Sequence, residues 1–166
     1  MTISIYSSTV PVLSRKLSAL LAILNKAEAY AAERKFDANV FVQERLAPDM
    51  HPLKFQITSV ADHAKFIAAR LSGKTPPVWK DDEQTFADLK ARIQKAIDYL
   101  ATITPEDLAD GATRPVVTRI RGEEKTITGE EYFLTRALPN FYFHLTTAYA
   151  LLRKGGVPIG KGDFLA

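Results

Sequence analysis

The sequence predicts an all-α fold, namely a four-helix bundle with a short accessory helix and a small β-hairpin before the last helix. Four long segments repeat apolar residues at alternating steps of three and four, which is the spacing of a helix that buries one face. The chain has 166 residues, of which 46% are hydrophobic and 25% charged, so it can bury one sizeable core. We therefore expect one domain over residues 1–166.

The first long helix is expected to hold Pro11 in its first turns and to run to about Arg34. Its apolar stripe consists of Leu13, Leu17, Leu20, Leu24, Ala27 and Ala31. Asp37 can then cap a short accessory helix through Leu46, which Pro48 stops.

The second long helix is expected to begin at Pro52 and to end near Leu71. Its inward stripe consists of Leu53, Gln56, Ile57, Val60, His63, Ala64 and Ile67. Lys65 is expected on the opposite, exposed side. Polar Gln56 and His63 therefore stand in an otherwise apolar stripe.

The third long helix is expected to start at Asp81 or Asp82 and to end near Leu100. Its stripe consists of Phe86, Leu89, Ile93, Ala96, Ile97 and Leu100. We interpret Asp81, Asp82 and Glu83 as capping charges rather than as a metal cluster, because the exposed N–H groups of a helix start favour negative charge.

A small hairpin is predicted between the third and the last helix. Residues 116–120 and 125–128 are rich in β-branched side chains and flank a turn at 121–124. The last helix then begins at Thr128, a good N-cap, with Glu131 three residues later as its reciprocal partner.

The last helix is expected to hold Arg153 and Lys154 in its last turn and to stop at Gly155 and Gly156, which tolerate a left-handed backbone. His144 falls on the broad apolar face of this helix, and Asn140 lies one turn before it. A pair at this spacing can reach one ion or one polar ligand.

Several segments resemble the DinB-like superfamily. They are A-P-D-M at 47–50, L-P-N-F-Y-F-H at 138–144, G-V-P-I-G-K-G-D-F at 156–164, and the spacing from His144 to Leu152-Arg153. The whole chain is most similar to a branch of that superfamily described as a domain of unknown function. The resemblance implies a four-helix bundle.

The resemblance also implies where a metal would lie. Many superfamily members hold a metal by three histidines, two from a His-x-x-x-His pair on the last helix and one from the second helix. In this sequence Asn140 replaces the first histidine of that pair, His144 matches the second, and the third position falls nearer Ser59 than His63.

The candidate site therefore lies between the second and fourth helices. Its predicted ligand-binding residues are Gln56, Ser59, His63, Asn140 and His144. If a divalent metal such as Zn²⁺ or Ni²⁺ binds, His63 and His144 are its expected ligands, because neutral imidazole suits such ions.

Three functions are consistent with this pattern. The first is a bundle that binds a small ligand in the polar pocket and keeps a degenerate metal site. The second is a divalent-metal-dependent transferase or hydrolase that uses His63 and His144 as ligands. The third is a dimeric structural scaffold without a ligand, since Tyr142, Phe143 and Tyr149 lie partly outside the core face. The sequence leaves open whether the protein is an enzyme.

Composition argues against several other classes. The net charge of +3 arises from 22 basic and 19 acidic residues that are interleaved, so no nucleic-acid partner is expected. The absence of cysteine excludes disulfides and thiolate chemistry. Because no leader pattern and no apolar run of membrane length stands out, we expect a cytoplasmic protein that does not bind membranes.

Overall fold

The computed structural model describes residues 3–166 and shows a mostly helical chain with one two-stranded antiparallel sheet. The helices are α1 (Ile5–Ser8), α2 (Val10–Glu33), α3 (Leu53–Ser72), α4 (Phe86–Leu100), α5 (Gly129–Tyr132), α6 (Leu138–Lys154) and α7 (Lys161–Leu165), and the strands are β1 (Pro115–Ile120) and β2 (Glu123–Thr128). Helix α3 packs against α4 and α6, and α2 packs against α4, so the four long helices share one cluster of buried apolar side chains.

Helix α2 contributes the predicted leucine stripe to this core, and every member of the stripe is buried. By length and composition alone, the segment Ile5–Glu33 could also cross a membrane. The sequence analysis expected no segment of this kind. Within an apolar stretch of 18 residues in this segment, 44% is buried inside the protein. The leucine stripe packed in the core accounts for part of this apolar composition.

The accessory helix is shorter than predicted. It is a 3₁₀ helix over Ala38–Phe41, and the Asp37 carboxylate caps it by accepting a hydrogen bond from the Asn39 N–H at 2.8 Å. The expectation of a helix through Leu46 is wrong. Phe41 is buried against Phe36 and Phe86, so this turn is positioned by an aromatic contact rather than by a long amphipathic face.

The third long helix, α4, starts four or five residues later than predicted. Thr85 is its N-cap, and Thr85 and Asp88 form a reciprocal capping box. The capping role expected of Asp81 and Glu83 is wrong, because both carboxylates accept hydrogen bonds from the buried Arg92 side chain instead. A buried guanidinium needs such partners more than an exposed helix end does.

The hairpin is confirmed. Strands β1 and β2 pair in the register Pro115↔Thr128 to Ile120↔Glu123. Arg121 and Gly122 form the two-residue turn with φ values of 53° and 86°, the left-handed conformation that matches the twist of a tight hairpin.

The last predicted helix is continuous but not uniform. Thr128 caps it as expected, through its hydroxyl and the Glu131 N–H at 3.2 Å. A π-helical turn at Phe133–Ala137 then separates α5 from α6, immediately before Pro139, which has no N–H to donate to the helix. The helix ends as predicted, and Gly156 has a φ of 91°.

Candidate functional site

The packing of α3 against α6 brings two of the predicted site residues together. His63 on α3 and His144 on α6 lie with their ring centroids 5.3 Å apart and their planes at 18°. The two helices therefore pack so that one imidazole from each helix lies at the same level, as a site between them requires.

Gln56 fixes the orientation of His144. Its side-chain Nε2 donates a hydrogen bond to the backbone carbonyl of His51 at 3.1 Å, which leaves Oε1 facing Nδ1 of His144 at 2.8 Å. Because Oε1 can only accept, Nδ1 of His144 carries the proton. The lone pair of the neutral ring is then on Nε2, the atom that remains for a ligand.

Both imidazoles are held neutral at physiological pH. Burial, with the neighbouring His63 and His51, lowers the pKa of His144 to about 4. Burial also lowers the pKa of His63. The Asp62 carboxylate opposes this shift, and the Arg70 cation adds to it. The pair therefore offers uncharged nitrogen atoms rather than positive charge.

A cleft of about 300 Å³ opens beside His63 on the outer side of α3. Ser59, a predicted site residue, lies in its wall one turn before His63. Phe55 and Phe66 add aromatic surface, and Phe55 also contacts the His144 ring edge-on at 5.9 Å between centroids. We call this space the first cavity.

The opposite wall of the first cavity belongs to the segment before α4, and its charge cluster was missed by the sequence analysis. Arg92, only 3% exposed, donates to Asp62, Asp81 and Glu83 at 2.8 to 3.0 Å. Lys65, expected on an exposed face, is also 3% exposed and pairs with Asp62 at 2.7 Å. The carboxylates of this wall are therefore largely neutralised.

Two signals in the sequence could have revealed this cluster. Arg92 lies among the buried positions of α4, between Leu89 and Ile93, where a long cation needs a carboxylate partner. The second signal is Trp79, the one tryptophan of the sequence. In the structure it lies in a segment with no regular secondary structure, and the cations of Lys65, Arg92 and Lys95 lie within 5.3 Å of its ring.

A second cavity, of about 200 Å³, lies on the other side of His63, where α3, the π-helical turn, α6 and β1 meet. Asn140 lies in its wall but is exposed, and its amide donates to the Arg136 carbonyl at 2.6 Å. Among the described residues no hydrogen bond joins Asn140 to His144. His63 lines both cavities, whereas Asn140 lines the second alone.

The resemblance implies a three-histidine metal site, and the side chains of this region differ from one. Within residues 3–166, no group of three or more His, Asp or Glu side chains is arranged to hold a metal ion. Two of the three corresponding positions hold Ser59 and Asn140, and Nδ1 of His144 is bonded to Gln56. These residues do not fit a three-histidine metal site.

Comparison with known proteins agrees with this architecture. Residues 5–165 match the family model DUF1993, described as a domain of unknown function. No curated protein matches the chain. The chain is also similar to a crystal structure of a DinB family member protein from Shewanella denitrificans, with 41% sequence identity and a TM-score of 0.91 over 97% of this chain and 91% of that chain.

Proposed function

We propose that this chain, which belongs to the DUF1993 family and is DinB-like, binds a small ligand in the first cavity beside the paired histidines. On this account the four long helices form the predicted bundle, and the ligand lies between α3 and the segment before α4. The observation that carries the proposal is the Gln56–His144–His63 arrangement. Neutral His63 lies in the wall of the cleft, and the oriented His144 ring stacks against it from α6.

The chemistry of the cleft indicates how a ligand would be held. Neutral His63 can donate or accept a hydrogen bond, and the Ser59 hydroxyl can do both. Phe55 and Phe66 provide apolar faces on either side of these polar groups. A few polar atoms within an aromatic surface are typical of small-molecule sites.

A thermal-shift screen of a metabolite library tests the proposal. Compounds that bind the folded state should raise the melting temperature of the wild type, and His63→Ala should reduce that shift. Thr146→Ala, an exposed position on α6, is the control and should retain the full shift. The proposal is wrong if no compound stabilises the wild type, or if every compound that does so stabilises His63→Ala equally.

A divalent-metal-dependent transferase or hydrolase is the second candidate, and the proximity of two neutral imidazoles supports it. It requires ligands beyond His63 and His144. Elemental analysis of dialysed protein, after incubation with Zn²⁺, Ni²⁺, Mn²⁺ or Fe²⁺, tests it. Near-stoichiometric metal that disappears in both His63→Ala and His144→Ala would favour this candidate, and the absence of retained metal would reject it.

A homodimer is the remaining proposal. Phe143 on α6 is 58% exposed and Leu134 on the π-helical turn is 54% exposed, which is unusual for large apolar side chains. Sedimentation velocity over a hundredfold range of concentration would detect a dimer, and Phe143→Ser should weaken it. A monomer at every concentration would contradict this proposal, and the dimeric-scaffold function with it.

A further inference from the structure

The second cavity differs from the first in its charge. Arginines project from two of its walls, Arg70 from the last turn of α3 and Arg136 from the π-helical turn. No aspartate or glutamate lines it. Across residues 3–166, neither arginine forms an ion pair with a carboxylate, whereas Arg92 at the first cavity has three such partners.

Arg70 is held in place without a carboxylate. Its guanidinium lies over the rings of Phe66 and Tyr132, at 5.4 and 5.2 Å from their centroids. Its Nη1 donates to the Tyr132 hydroxyl at 2.9 Å. A guanidinium has five N–H groups, so this positioning leaves donors for a ligand while the aromatic contacts limit its motion.

Tyr132 adds a further donor. Burial raises the pKa of its hydroxyl, so the side chain stays protonated at physiological pH even though Arg70 opposes the shift. The hydroxyl oxygen accepts the hydrogen bond from Arg70, and its own proton remains to be donated.

Arg136 faces the same space from the π-helical turn. Its side chain makes one hydrogen bond within the described chain, a long one of 3.4 Å from Nη2 to the Arg119 carbonyl on β1. Thr118 lines the cavity from the same strand. Two arginines, Tyr132 and Thr118 thus line a small volume whose walls contain no acidic side chain.

We propose that the second cavity binds an oxyanion, a carboxylate or phosphate group, through Arg70 and Arg136. Planar guanidinium groups bind both kinds of group through paired N–H donors. The inference about the ligand rests on the proposed function. The ligand would be a small anionic molecule whose body lies in the first cavity and whose charged group lies past His63, in the second cavity. The arginine site itself depends only on the second cavity.

The test is calorimetric titration of the wild type with inorganic phosphate and, separately, with succinate, at a fixed ionic strength set by NaCl. Arg70→Gln and Arg136→Gln should each weaken the preferred anion by about tenfold or more, since each removes a charged hydrogen-bond donor. Arg121→Gln removes the same charge at the exposed hairpin turn, outside the cavity lining, and should change affinity less than about twofold. The anion that binds more tightly identifies the group.

Three results would overturn the oxyanion site. They are the absence of saturable binding of either anion, equal weakening in Arg121→Gln, and unchanged affinity in both cavity variants. If Arg70→Gln does not fold, Arg136→Gln alone decides, because Arg136 makes only the long bond to Arg119.

The outcomes also separate this site from the proposed function. Library compounds that need His63 but neither arginine would support ligand binding in the first cavity and reject the inference that its ligand is anionic. Phosphate or succinate binding that needs both arginines, without any compound that needs His63, would support the oxyanion site and reject the proposed function.

Discussion

At the scale of single residues, Gln56 is the side chain on which the histidine pair depends. It is 2% exposed and uses both of its amide atoms, one toward the His51 carbonyl and one toward His144. Because this side chain bonds to both groups at once, it determines which tautomer His144 adopts. Replacing it removes both hydrogen bonds without changing the charge of the protein.

Gln56→Leu is therefore expected to lower the free energy of unfolding by about 1–3 kcal/mol, because the partners of the amide are left unsatisfied. Urea denaturation monitored by circular dichroism measures this difference. Gln94→Leu is the control, since Gln94 is exposed on α4 and bonds only to Asp98, so it should cost less than about 0.5 kcal/mol. Equal losses in the two variants would contradict the role given to Gln56.

The lowered pKa of His144 predicts a pH dependence of stability. Its folded-state pKa of about 4 lies below the ordinary histidine value of about 6.5, so the unfolded chain takes up the proton first as the pH falls. Stability from this group is complete above pH 6.5 and is lost as the pH falls toward 4.

Urea unfolding at pH 7, 5.5 and 4 should show a steeper loss of stability for the wild type than for His144→Asn, which keeps an N–H donor for Gln56 but does not titrate. The carboxylates titrate in both proteins, so the difference between the two slopes isolates His144. Parallel slopes would show that His144 is not held neutral by the fold.

At the scale of elements, the segment from 73 to 85 has no regular secondary structure and yet forms a wall of the first cavity. Arg92 holds it from α4, through the carboxylates of Asp81 and Glu83 and the Lys80 carbonyl. The wall therefore depends on one buried cation rather than on hydrogen bonds of a helix or strand.

Arg92→Met should destabilise the protein by about 3–5 kcal/mol, because it leaves carboxylates without their buried partner. It should also raise amide hydrogen exchange across residues 78–85. Lys90→Met is the control: Lys90 pairs with Glu28 at the surface, and its loss should cost about 0–1 kcal/mol. Unchanged exchange in Arg92→Met would mean that the segment is positioned by other contacts.

The hairpin is joined to α5 at a point where two backbones nearly touch. A Cβ atom on Gly129 would lie 1.9 Å from the Gly111 carbonyl oxygen, and the adjacent Glu130 N–H donates to the Ala112 carbonyl at 2.9 Å. This contact fixes the hairpin, and with it Thr118, against the second cavity.

Gly129→Ala should therefore lower stability by about 1–3 kcal/mol through forced displacement of the backbone. Gly162→Ala in α7 meets no atom within 4 Å and should be neutral or slightly stabilising. Thermal unfolding of both variants measures the difference, and a neutral Gly129→Ala would show that the junction can relax.

At the scale of the whole molecule, the periodicity of apolar residues predicted the positions of the long helices, because burial of one face dominates helix formation. It did not predict the π-helical turn, which depends on how Pro139 is accommodated, or the start of α4. Nor did it predict the burial of Lys65 and Arg92, since a charge becomes buried only when partners from other elements arrive. For the site, the sequence predicted that polar side chains of the second and fourth helices face each other, while the two cavities and their charges arise from the packing of separate segments.

Helices α3 and α6 hold two neutral imidazoles side by side, and Gln56 fixes the orientation of one of them. Long-range ¹H–¹⁵N correlation spectra of the histidine rings report the protonation of each ring nitrogen and therefore test this arrangement. At pH 6 we expect a neutral His144 protonated at Nδ1, and His63 signals that change when His144 is replaced by Asn. A charged His144 at that pH, or one protonated at Nε2 alone, would contradict this arrangement.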